Sequence, residues 1–121
     1  MAKKKVVGPL ADRTTRNPFR LLNPSGLVDA YSVIYSSRNG MRRIGLKRGA
    51  TYVGDLFFHA DDAALPADQL ADGHIVLNYR LRDFANILDL LRNEKPLYLW
   101  YHGANSDNGL WSGDEPIGEA E

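Results

Sequence analysis

The segment LVDAYSVIYSSRNGMRRIGLKR, residues 27–48, sets two strand-like runs on either side of Asn39-Gly40. An Asn-Gly pair constrains a chain strongly, because both turn positions accept positive φ and so dictate where the chain reverses. A two-residue loop here places Tyr35 opposite Ile44, Val33 opposite Leu46 and Tyr31 opposite Arg48. The other face pairs Ser36 with Arg43, Ile34 with Gly45 and Ser32 with Lys47. The period of two therefore predicts a hairpin with an aromatic and aliphatic face backed by a serine and cation face.

Further strands are expected at Thr51 to His59 (TYVGDLFFH), where β-branched and aromatic residues dominate, and at His74 to Arg80 (HIVLNYR), where Ile75, Leu77 and Tyr79 alternate with Val76, Asn78 and Arg80. The two are expected to be antiparallel neighbours. Between them, ADDAALPADQLADG reads as an acidic loop with one short helical turn from Pro66. The spacing of Phe84, Ile87, Leu88 and Leu91 predicts an amphipathic helix over Arg82 to Arg92, with Asp83 at its positive end and Arg92 at its negative end. On this reading Leu88→Ala is severely destabilising. After the helix, PLYLWYH is apolar on both faces, as a covered central strand should be. A short strand is expected around Leu110 to Ser112.

This order defines an α+β domain: an antiparallel meander or partly closed β-barrel, with one helix before the last main strand. At 121 residues the chain suffices for one core. The domain occupies residues 27–113. Residues 1–26, with three prolines, two glycines and a net charge of +5, form an extended basic N-terminal arm carrying sparse apolar anchors at Val6, Val7, Leu10, Phe19, Leu21 and Leu22. Residues 114–121 form an acidic tail.

The absence of cysteine excludes disulfides, thiolate metal sites and cysteine nucleophiles. Apolar runs fall far short of the roughly 20 residues needed to span a bilayer, and no signal-peptide core follows Lys3 to Lys5. The chain reads as soluble, cytoplasmic and without a membrane partner. Its zero net charge conceals an asymmetry: residues 1–50 hold eleven Lys and Arg against Asp12 and Asp29, and the remainder holds four against thirteen Asp and Glu. Halves at +9 and −9 point to a charged partner, which includes another copy of the chain.

Phosphate-binding glycine loops and a GxSxG elbow are absent, so neither a nucleotide cofactor nor a nucleophilic serine is indicated, and no cofactor is assigned. His59, Asp61 and His74 have the residue types of a metal site and flank one loop, which admits a metal-dependent enzyme as a third reading. Tyr98, Trp100, Tyr31 and Tyr35 could stack bases, although aromatic residues of a small sheet domain more often fill its core.

The cations Lys3, Lys4, Lys5, Arg38, Arg42, Arg43, Lys47 and Arg48 carry the main expectation. Arm and hairpin dock on an acidic surface of another subunit or partner, in a non-catalytic interaction or assembly module that forms a homo-oligomer or a complex. The alternative is a nucleic-acid-binding domain using the same residues. The bland reading is that these charges merely guard an exposed sheet edge against mispairing.

Overall fold

The computed structural model describes residues 26–38, 40–113 and 117. Ten elements follow in order: β1 (Leu27–Val28), β2 (Ala30–Tyr35), β3 (Arg42–Arg48), β4 (Thr51–His59), β5 (Gln69–Ala71), β6 (His74–Arg80), a 3-10 turn (Leu81–Asp83), α1 (Phe84–Asn93), β7 (Leu97–Trp100) and β8 (Gly109–Trp111). The strands form two sheets, one of five strands ordered β2-β3-β4-β6-β5 and one of three ordered β1-β7-β8. The class is α+β, mostly sheet with one short helix, and no closed barrel forms among the described strands.

Two expected registers are corrected. In the β2–β3 hairpin, Tyr35 stands opposite Arg42, Val33 opposite Ile44 and Tyr31 opposite Leu46. The Ser36 amide donates to the Met41 carbonyl (2.9 Å) and the Gly40 amide to the Ser36 carbonyl (3.2 Å), so the loop has four residues and not two. Gly40 takes φ +69°, while Asn39 lies outside the described residues. The slip is by two residues, so every side chain keeps its expected face.

The second correction is topological. β4 and β6 run parallel, with Gly54 opposite Ile75 and His59 opposite Arg80. The antiparallel partner of β6 is β5, which lies where a loop with a helical turn was expected. The cause is Asp72-Gly73, with φ of +54° and +77°. Positive φ at both turn positions is the signature of a two-residue hairpin turn, and it folds β5 back onto β6. β4 then meets the other edge of β6 in the same sense as β6, and residues 60–68 carry the chain across to β5. The sheet is mixed, and the expected pure meander is not.

One face of the five-stranded sheet makes the core. Ile44, Leu46, Leu56, Phe58, Ile75 and Leu77 pack with Val28, Phe84, Leu91, Leu97 and Leu99, all buried. α1 presents Phe84 and Leu91, with Ile87 and Leu88 half-buried beside them. Leu88 therefore matters less than its position in the periodic pattern implies, and Leu91 matters more. β7 enters through Leu97 and Leu99, and it is the middle strand of its own three-stranded sheet rather than a strand of the larger one. Where it crosses, β4 has no side chain: a Cβ at Gly54 would lie 2.6 Å from the Leu99 side chain and 2.7 Å from the Ile75 carbonyl oxygen. Only glycine fits that approach.

Candidate functional site: the open face of the five-stranded sheet

The opposite face of this sheet carries Ala30, Ser32 and Ile34 from β2, Arg43, Gly45 and Lys47 from β3, Tyr52, Asp55, Phe57 and His59 from β4, and His74, Val76, Asn78 and Arg80 from β6. All are exposed or half-buried except Gly45 and Asp55. A carboxylate buried in mid-strand costs several kcal/mol unless it is paired. Asp55 is paired twice. Its Oδ1 accepts from Arg43 Nε (3.0 Å) on one neighbouring strand, and its Oδ2 lies 2.8 Å from His74 Nε2 on the other. The side chains are unevenly wet: Arg43 is 44% exposed, His74 34% and Asp55 11%. The carboxylate is thus a fixed anchor, and its two partners reach outward into solvent.

Aromatic rings flank this anchor. Gly45 is bare, and the Tyr52 ring lies across it, so that a Cβ there would come within 2.8 Å of Tyr52 Cε1. The Tyr52 hydroxyl reaches Ser32 Oγ (3.4 Å), and Lys47 Nζ stands 5.1 Å from the ring centroid. The Arg43 guanidinium lies 5.3 Å from the centre of Phe57. Further along the face, His59 Nε2 bonds Asn78 Oδ1 (2.8 Å). The Asn78 amide donates to Asp68 Oδ1 (2.8 Å), and Asp68 Oδ2 accepts from Asn108 Nδ2 (2.9 Å), which ties the β7–β8 loop to the large sheet.

The predicted cations are not one surface. Arg43 and Lys47 share the open face, and Arg38 is exposed at the hairpin tip. Arg42 turns to the core side, its guanidinium 4.5 Å from the Tyr35 centroid and 5.4 Å from that of Phe84. Its Nε is buried with no hydrogen-bond partner among the described residues. Arg48 closes β3 opposite Thr51. Lys3, Lys4 and Lys5 lie outside the described residues. The edge-guarding reading fails, because β3 is an inner strand of the sheet and the edge itself, β2, carries no charge.

The residues weighed as metal ligands are separated by the parallel pairing. His74 opens β6 at the level of Val53, about six residues from His59, or roughly 20 Å at about 3.3 Å per residue. Asp61 accepts from the Arg82 amide (2.8 Å). Among the described residues no group of three possible ligands assembles. Of the aromatic candidates, Trp100 donates to the Asp107 carbonyl (2.6 Å), Tyr98 packs on Trp111 (5.5 Å) and Tyr31 is half-buried, which leaves Tyr35 exposed. Sequence reasoning missed Asp55 and Tyr52. The signal was an acid between Gly54 and Leu56 in an otherwise apolar strand, which demands a partner on each side.

Tyr79, on the core face and stacked on Phe58 (5.7 Å), has its phenol pushed up to about 12, first by burial and then by the negative charge of Asp68, Asp83 and Asp107. A cleft of about 920 Å³ opens elsewhere, between the β1–β2 corner and the C-terminal end of α1; Tyr31 is among its lining residues, and none of the predicted cations or metal-site candidates is. No helix among the described residues is long and apolar enough to cross a membrane.

The sequence matches no protein-family model, no curated protein and no solved structure. The geometry of the open face must therefore carry the functional argument alone.

Proposed function

We propose that the chain is a non-catalytic interaction or assembly module whose N-terminal arm and basic hairpin dock on an acidic surface of another subunit or partner. The observation that carries this reading is the setting of the hairpin cations. Lys47, on the open face, rests on the Tyr52 ring (5.1 Å from its centroid), and Arg38 is exposed at the hairpin tip, whereas Arg42 is turned to the core side. A cation laid on a ring is partly desolvated and held in place while its remaining donors stay available, which lowers the ordering cost of meeting a carboxylate. Asp55 spends its charge on Arg43 and His74, so Arg43 contributes mainly as a positioned flat surface over Phe57.

Light scattering at low and high salt tests this. In the assembly reading, particles exceed the 13.5 kDa monomer without nucleic acid, and Lys47→Glu with Arg38→Glu reduces their mass at low salt. A chain that gains mass at no salt concentration, with or without those changes, removes the reading. A second reading, nucleic-acid binding through the hairpin and arm, is favoured by one feature: Tyr52, 51% exposed, lies beside Lys47 on an open sheet face. Exposed rings beside cations suit single-stranded bases. Its mark is binding of a short single-stranded oligonucleotide with affinity that falls steeply as salt rises, and that is lost in Tyr52→Ala.

A further inference from the structure

We infer that β2 is a self-pairing edge, through which two copies of the chain pair antiparallel and join their five-stranded sheets into one ten-stranded sheet. Among the described strands, the remaining sheet edges belong to β1, β5 and β8, which have only two or three residues. β2 has six, Ala30-Tyr31-Ser32-Val33-Ile34-Tyr35, with no charge, no proline and no bulge against β3. Natural sheets protect long edges with such devices. Here the edge is apolar on both sides, with Val33 38%, Ile34 48% and Tyr35 60% exposed.

The register within the molecule defines the register between copies. The Ser36 amide bonds the Met41 carbonyl, so in the alternating antiparallel ladder Ser32, Ile34 and Ser36 bond toward β3. The amides and carbonyls of Tyr31, Val33 and Tyr35 then point to the open side. That set is symmetric about Val33. An antiparallel copy therefore pairs Val33 with Val33 on a two-fold axis and Tyr31 with Tyr35 on either side, using all six outward groups. The ends complement each other: Asp29 precedes the strand and Arg38 follows it, both exposed, and the antiparallel arrangement brings each close to the other in the opposite copy. Because the contact is isologous it consumes both edges and closes as a dimer, not a filament. The inference stands whether or not the basic face meets an acidic partner.

The chain has no cysteine, which permits a direct test on the whole 121-residue chain. Val33→Cys puts two thiols on the axis, at a Cα separation of about 5.5 Å, within disulfide range. Ala30→Cys puts them about six residues apart, roughly 20 Å. Under diamide, Val33→Cys is expected to become a covalent dimer at concentrations where Ala30→Cys remains monomeric. Sedimentation of the unmodified chain should show a concentration-dependent mass approaching twice 13.5 kDa. Val33→Lys should weaken that dimer at least about tenfold, with an unchanged circular dichroism spectrum, because the two-fold brings the new charges together. Lys47→Glu should leave the Val33→Cys cross-link intact, which separates failure here from failure of the acidic-surface reading. Equal cross-linking at positions 30 and 33, or a monomer at every concentration, overturns the inference.

Discussion

Leu56 and Asp55 are adjacent in β4 and both are buried, yet they are held by different physics. Leu56 faces a two-layer core closed by α1 and the small sheet, and water is excluded from it on all sides. Asp55 faces outward and is held by Arg43 and His74, with Arg43 in turn lying over the Phe57 ring. The core face is stabilised by volume and close packing; the open face by a few directed contacts that leave donors available. One side of the sheet supplies stability, and the other is where recognition can be built without disturbing it.

Substitutions can break or sharpen this contrast. Leu56→Ala should be the most damaging, lowering stability by about 2 to 5 kcal/mol in urea unfolding, since the cavity it leaves is walled by β-sheet on both flanks. Gly54→Ala follows at about 1 to 3 kcal/mol, because a methyl group must displace Leu99 or the β6 backbone. Asp55→Ala should cost about 1 kcal/mol, the low end for a lost acceptor, because Arg43 and His74 can regain water that Leu99 cannot. A loss for Asp55→Ala equal to that for Leu56→Ala would erase the distinction between the faces.

Tyr79 sharpens it from the core side. Its phenol binds its proton more tightly in the folded chain than in the unfolded one, where the value is near 10.0. Its contribution is complete below pH 10 and is lost as pH rises through about 12, so the fold should weaken over that window, and Tyr79→Phe should flatten the decline. Smallest of all, Lys47→Glu should move stability by no more than about 0.5 kcal/mol while still altering low-salt association.

Two turn dipeptides show how far local reading extends. Asn39-Gly40 carries the stronger hairpin signal, yet the hairpin closes with four loop residues, since a slip of two leaves each side chain on its own face and places Arg42 against Tyr35 and Phe84. Asp72-Gly73, embedded in an acidic stretch that resembles a solvated loop, forms the two-residue turn instead. Periodicity is blind to a shift of two, so packing chose the first register. The second was legible from the turn chemistry of Asp72-Gly73, and the weight of nearby carboxylates obscured it.

The faces of β2, β3 and β6, the helix near residues 82–93, a strand after it and the α+β class follow from the sequence alone, because periods of two and 3.6 are local properties that burial rewards wherever the element lies; β4 breaks its period at the register shift opposite Leu46 and Lys47, which brings Tyr52 and Asp55 onto one face. What only the tertiary structure decided is which strands are neighbours. It made β4 and β6 parallel, set His59 and His74 far apart, joined Asp55 to Arg43 and His74 from three strands, and left β2 at the edge. Contacts of that kind depend on how the chain crosses between elements, and those crossings are selected by packing among residues far apart in sequence.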